Sequence, residues 1–101
     1  MKKILLLCSA GMSTSMVVKK MRAAAEQQHV EVQIEAQGVE TFQDYVEEFD
    51  LFLLGPQIRF KVDELQKLAS PFGKKVAAID MADYGMMKGD KILTSALAML
   101  A

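Results

Sequence analysis

The chain has one cysteine, one histidine, two prolines and no tryptophan among its 101 residues. A lone cysteine closes no internal disulfide, so the fold cannot depend on oxidation and suits a reducing compartment. His29 has no cysteine or carboxylate companions at metal-ligand spacing, so no metal site is expected, and no cofactor either. The formal net charge is -1, which excludes a generic nucleic-acid or anionic-membrane binder. No apolar run approaches the about 20 residues that span a bilayer. Ile4 to Leu7, behind Lys2 and Lys3, is too short for a secretion signal. What is present is ordinary for a soluble globular protein, with 51% apolar and 25% charged residues. No repeat, low-complexity stretch or linker interrupts it, so one domain over 1–101 is expected.

Two kinds of segment alternate. Ile4-Leu5-Leu6-Leu7, Leu51-Phe52-Leu53-Leu54 and Val76-Ala77-Ala78-Ile79 are short, unbroken apolar runs. Such runs read as strands buried on both faces of a parallel sheet. Val30 to Glu35 alternates apolar and polar residues, which predicts an edge strand with one solvated face. Between these runs, Val17, Val18, Met21, Ala24 and Ala25 recur at helical spacing, with Lys19, Lys20 and Arg22 turned outward to solvent. Phe42 to Phe49, Val62 to Ala69 and Ile92 to Leu100 repeat the pattern; Asp90 is the expected N-cap of the last helix, and Pro71 and Gly73 stop the third. The βαβαβαβα order predicts an α/β fold, a small doubly wound four-stranded parallel sheet of order 2-1-3-4 with helices on both faces. In such a sheet ligands bind beyond the carboxyl ends of the strands, where the winding reverses between strands 1 and 3. The loops beginning at Cys8, Gly55 and Asp80 border that crevice.

The first of these loops reads Cys8-Ser9-Ala10-Gly11-Met12-Ser13-Thr14-Ser15 and opens into helix 1. Small residues and a glycine allow successive backbone N–H groups to turn inward as an anion nest. The helix N-terminus adds free N–H groups and partial positive charge, and Ser13, Thr14 and Ser15 add hydroxyls. The same field favours the thiolate of Cys8, the nucleophilic form. An accessible sulfur beside an anion cradle implies chemistry on phosphate or a similar oxyanion. The bland alternative is a small buried cysteine before a helix cap.

The nucleotide-binding pattern Gly-x4-Gly-Lys-Ser/Thr is absent. The loop resembles that of the low-molecular-weight tyrosine phosphatases, which carry Cys-x5-Arg, but the arginine position is Thr14. Without a guanidinium on the phosphate, hydrolysis should be poor, while exchange between an aligned donor and acceptor remains open. A small cysteine phosphatase, an oxyanion reductase and a non-catalytic anion or partner-binding module are the competing readings. The lack of a second cysteine weighs against a reductase resolved by an internal disulfide.

On Leu7-Cys8-Ser9-Ala10-Gly11-Met12-Ser13-Thr14-Ser15 and Leu54-Gly55-Pro56-Gln57-Ile58, the sequence resembles the IIB components of the bacterial phosphoenolpyruvate-dependent sugar phosphotransferase system, lactose/cellobiose type. The likeness extends over essentially the whole chain in length and element order. It implies that Cys8 accepts a phosphoryl group from a phosphohistidine of a IIA protein. The phosphocysteine then passes it to a cellobiose-, lactose- or chitobiose-like sugar carried by a IIC permease. It further implies that Ser9, Ala10, Gly11, Met12, Ser13, Thr14 and Ser15 hold the phosphate, and that the protein is cytoplasmic and reaches the membrane through IIC.

Around this loop, Gln57 is read evenly as a phosphate or partner contact and as part of a turn. Tyr84 either borders the site or packs. Asp80 and Asp83 are expected to solvate the loop or cap a helix rather than to act as acids, because a carboxylate near phosphate repels it. His29 reads as an ordinary helix-end residue.

Overall fold

The computed structural model describes residues 1–9 and 14–101. Four strands form one sheet: β1 (Lys2–Cys8), β2 (Val32–Gly38), β3 (Leu51–Leu54) and β4 (Lys75–Ala78), in the order β2-β1-β3-β4. Every neighbouring pair is parallel, as the continuous apolar runs require. The helices are α1 (Ser15–Gln27), α2 (Phe42–Tyr45), α3 (Val62–Ala69), α4 (Met81–Gly85) and α5 (Gly89–Leu100).

Strand periodicity divides the core. Ile4 and Leu6 point to one face, where α1 and α5 bury Val18, Met21, Ile92 and Leu93 against them. Leu5 and Leu7 point to the other, against Phe42, Phe49, Phe52 and Leu65 around α2 and α3. The helices α1 and α5 approach so closely at Gly89 that a Cβ there would stand 2.5 Å from the Lys20 carbonyl carbon and 2.7 Å from the Met21 nitrogen.

Several local expectations shift. The second strand begins at Val32 rather than Val30, because the Val30 N–H donates to the Ala25 carbonyl at 2.9 Å and stays with the end of α1. Of the segment read as one helix from Phe42 to Phe49, only the four residues of α2 are α-helical; a 3-10 turn over Val39–Thr41 leads into them and a turn over 46–48 follows. Asp90 does not cap α5: Lys88 is the N-cap residue, and Asp90 lies in the first turn, where its charge suits the helix dipole. Arg22 is not simply solvated, since its Nε donates to the Ile34 carbonyl on edge strand β2 at 2.8 Å. The stop after α3 is as expected. A 3-10 turn over Ser70–Phe72 ends at Gly73, whose φ of 71° is left-handed.

Candidate functional site

Cys8 ends β1, and its neighbours on both sides belong to strand ends. It is level with Gly38 of β2, and Leu7 is level with Leu54 of β3, one residue before Gly55. This is the point where the winding reverses, beyond the carboxyl ends of the strands. Sequence parity with Ile4 and Leu6 turns the Cys8 side chain toward the α1 face, where α1 begins. Thr14, the residue before α1, is completely buried, and its hydroxyl donates to the Cys8 Sγ at 3.7 Å. That hydroxyl does not cap the helix; it serves the sulfur instead. A hydrogen bond donated to sulfur favours the thiolate over the thiol.

The expectation of an accessible sulfur is not met by the residue as a whole: Cys8 is 3% exposed. Strands flank it on two sides, Thr14 stands over Sγ, and the Cβ position of Gly55 is 3.7 Å from its Cβ. It is nonetheless in neither of the two apolar clusters formed by the described residues. Of the loop residues expected to hold phosphate, Ser9 and Ser15 are exposed and Thr14 is buried at the sulfur. Ala10, Gly11, Met12 and Ser13 lie outside the described residues.

The second loop turns back immediately. Gly55 donates to the Leu7 carbonyl at 2.8 Å, Ile58 donates to the Gly55 carbonyl at 3.0 Å, and a 3-10 helix runs over Pro56–Lys61. Gly55 and Pro56 are therefore the turn. Gln57 folds over it, its Oε1 3.0 Å from where a Cβ on Gly55 would stand. Exposed and laid beside Cys8, Gln57 is the described amide placed to meet an incoming group.

The third loop holds α4, where the sequence pattern predicts no helix of its own. Asp80 caps it, its Oδ2 accepting from the Asp83 N–H at 3.1 Å, which is the role favoured over acid catalysis. Tyr84, on α4, packs its ring against the α1–α5 core. Its hydroxyl is buried and finds no hydrogen-bond partner among the described residues. Tyr84 and Gln57 meet in one groove of about 610 Å³, whose walls include Arg59, Phe60 and Met81. That volume is in the range of small-molecule sites. Phe60 at 74% and Met81 at 59% leave a large apolar rim in solvent.

One residue escaped the sequence reading. Glu40, two positions beyond Gly38, curls back so that its carboxylate fills the space a Cβ on Gly38 would take. Its relation to Cys8 is not announced by the local pattern, because it depends on the register that sets Gly38 beside Cys8. His29 is exposed at the end of α1 with φ 56°, a left-handed helix terminator remote from these loops in the chain.

A family model described as the lactose/cellobiose-specific IIB subunit of the PTS matches residues 3–95. The chain belongs to that family. As a IIB component it is a sugar phosphotransferase subunit of the phosphotransferase system. It is 43% identical over 100 residues to the oligo-beta-mannoside-specific EIIB component of Bacillus subtilis (strain 168), covering 99% of this chain and 97% of that protein. A cellobiose-specific IIB component from Borrelia burgdorferi, solved in solution, is 38% identical with a TM-score of 0.78, covering 96% of this chain and 89% of the other. The lactose-specific IIB domain of Streptococcus pneumoniae superposes at a TM-score of 0.87 with 22% identity, covering 96% of this chain and 95% of the other. At that identity the likeness concerns the fold. Among the described residues, no helix is long and apolar enough to cross a membrane.

Proposed function

We propose that Cys8 is the phosphoryl carrier of this IIB component and that residues 1–101 work as one IIB domain. The thiolate attacks the phosphorus of a phosphohistidine on a IIA protein; the N–P bond breaks as the S–P bond forms. In the second step a sugar hydroxyl on the IIC permease attacks the same phosphorus. The S–P bond breaks, the thiolate is regenerated, and the hydroxyl proton leaves to solvent or to the permease. The thiolate is a good leaving group in its own right, so the second step needs no acid on this chain. The donor that meets Cys8 is a protein, and docking supplies the alignment that an arginine supplies in a phosphatase.

The observation that carries this reading is the Thr14 hydroxyl on the Cys8 sulfur, at the switch point of the sheet and the start of α1. A merely structural cysteine needs no hydroxyl donor at its sulfur. The remaining loop residues, Ser9 through Ser15, supply phosphate ligands, and Gln57 and Tyr84 form the rim. The sugar is a cellobiose-, lactose- or chitobiose-like β-disaccharide, and contact with IIC brings the protein to the membrane.

Intact-mass measurement after incubation with a phosphorylated IIA protein tests the proposal. One phosphate should appear on the wild type and none on Cys8→Ser. A wild type that stays unmodified in the presence of charged donor rejects it. Brisk turnover of p-nitrophenyl phosphate would replace the carrier with a phosphatase.

A further inference from the structure

We propose that Glu40 sets the phosphoryl-transfer potential of Cys8, acting as a fixed negative charge beside the sulfur. The inference rests on the carrier reading above. In a parallel pair, residues in register project to the same face, and neighbouring strands lie about 4.8 Å apart. Cys8 and Gly38 are such a pair. The Glu40 carboxylate occupies the side-chain space of Gly38, which puts it on the order of 6 Å from Sγ, one strand spacing plus the reach of the two side chains. Gly38 has φ -73° and ψ 147°, an ordinary extended conformation. Neither the backbone angles nor surrounding backbone demand a glycine; the space a Cβ would take is filled by the end of the Glu40 side chain, an anion.

A carboxylate there opposes the anion that the carrier must hold. Going from thiolate to phosphocysteine adds about one unit of negative charge, and from thiol about two. At about 6 Å in a water-like medium the repulsion shifts the equilibrium by about threefold for one unit and about tenfold for two. Glu40 is exposed, and Lys61, Asp44 and Glu64 border the same neighbouring cavity, so the water-like figure applies. The consequence for function is directional. A carrier that held phosphate too well would stall; Glu40 keeps the phosphocysteine reactive enough to pass its phosphate to a sugar hydroxyl.

The test compares wild type, Glu40→Gln and Gly38→Ala, equilibrated with a phosphorylated IIA protein and read by intact mass. Glu40→Gln removes the charge. Gly38→Ala keeps it but installs the Cβ that evicts it, in a backbone conformation alanine accepts. Both should raise the ratio of phosphorylated chain to phosphorylated IIA by about three- to tenfold. The gain should collapse at about 1 M salt, where the Debye length is ~3 Å. Alkylation of Cys8 by iodoacetamide reads the same field without a donor and should quicken about threefold in both variants. An unchanged or lowered ratio in Glu40→Gln, a gain that Gly38→Ala does not share, or one indifferent to salt overturns the inference. A wild type that takes no phosphate on Cys8 defeats the carrier reading instead, and the alkylation rates then still decide whether Glu40 acts on the sulfur.

Discussion

Replacing Thr14 by valine removes a single hydrogen-bond donor from the candidate site while keeping the shape around it. The side chain is fully buried, and its hydroxyl donates to Sγ at 3.7 Å. Valine matches its volume and branching, and the Thr14 carbonyl still accepts from Val18 at 2.9 Å, so α1 starts as before. The lost hydroxyl makes no helix-cap bond, so the usual penalty for deleting a cap does not apply. What is lost is one donor to sulfur. Hydrogen bonds to charged groups contribute about 1.5–3 kcal/mol, and a long bond to diffuse sulfur belongs at or below the low end. Taking about 1–1.5 kcal/mol, the thiolate population at neutral pH falls about five- to tenfold. Iodoacetamide alkylation of Cys8 should slow by that factor, and so should the single-turnover rate of phosphoryl uptake from a charged IIA protein. Thermal unfolding should move little, since a buried hydroxyl is exchanged for a methyl of the same size and the sulfur it leaves is only a weak acceptor. Thr14→Ser retains the donor and should restore most of the rate, although its missing methyl leaves a small cavity. If Thr14→Val is alkylated and phosphorylated at the wild-type rate with the fold intact, the hydroxyl does not tune the sulfur. The strongest support for a functional Cys8 then disappears.

Two further predictions concern the frame. Gly89→Ala sets a methyl against the backbone of Lys20 and Met21, atoms that cannot turn aside. The overpacking should cost about 1–3 kcal/mol and lower the melting temperature by several degrees, and an unchanged melt would mean that α1 and α5 do not meet as described. Asp80→Ala removes the cap of α4 and should cost about 1 kcal/mol; the Asp83 amide should lose hydrogen-exchange protection while amides in β1 keep theirs.

The sheet was legible because burial on both faces leaves a plain mark. Ile4 to Leu7 and Leu51 to Leu54 hold no polar residue, as a parallel strand between two helical layers requires. The strand order followed from the alternation of elements. Boundaries were less legible wherever hydrogen bonding overrode pattern. Val30 has strand character, yet its N–H closes the end of α1. Phe42, Val46 and Phe49 are all buried as their spacing predicts, but the Phe49 N–H is held by the Tyr45 carbonyl in a turn rather than along a continuous helix. Periodicity reports which residues face the core, not how the backbone between them is closed. Asp90 looked like a cap because it precedes an apolar run. Lys88 takes the cap position, and the helix already begins at Gly89, where it touches α1. At the site, the place of Cys8 was legible from the end of an apolar run before a glycine and hydroxyl-rich segment. Its burial was not, since that follows from neighbours brought by other strands.

The most informative feature of the site is one that only the assembled sheet reveals. Both strands beside β1 run into a glycine at the level where β1 reaches Cys8: Gly38 ends β2 and Gly55 follows β3. In each case the residue two further on folds its polar side chain back over the vacant Cβ position, Glu40 over Gly38 and Gln57 over Gly55. The two strands thus deliver the same device with different chemistry, a carboxylate on one shoulder of the sulfur and an amide on the other. An amide can donate to a phosphoryl oxygen, and a carboxylate can only repel it. Opposed groups of this kind are what a carrier requires: enough attraction to accept phosphate from one protein, and enough repulsion to release it to the next. A phosphate sink would have two donors there, and substituting Glu40 by glutamine is the one-residue step toward making it one.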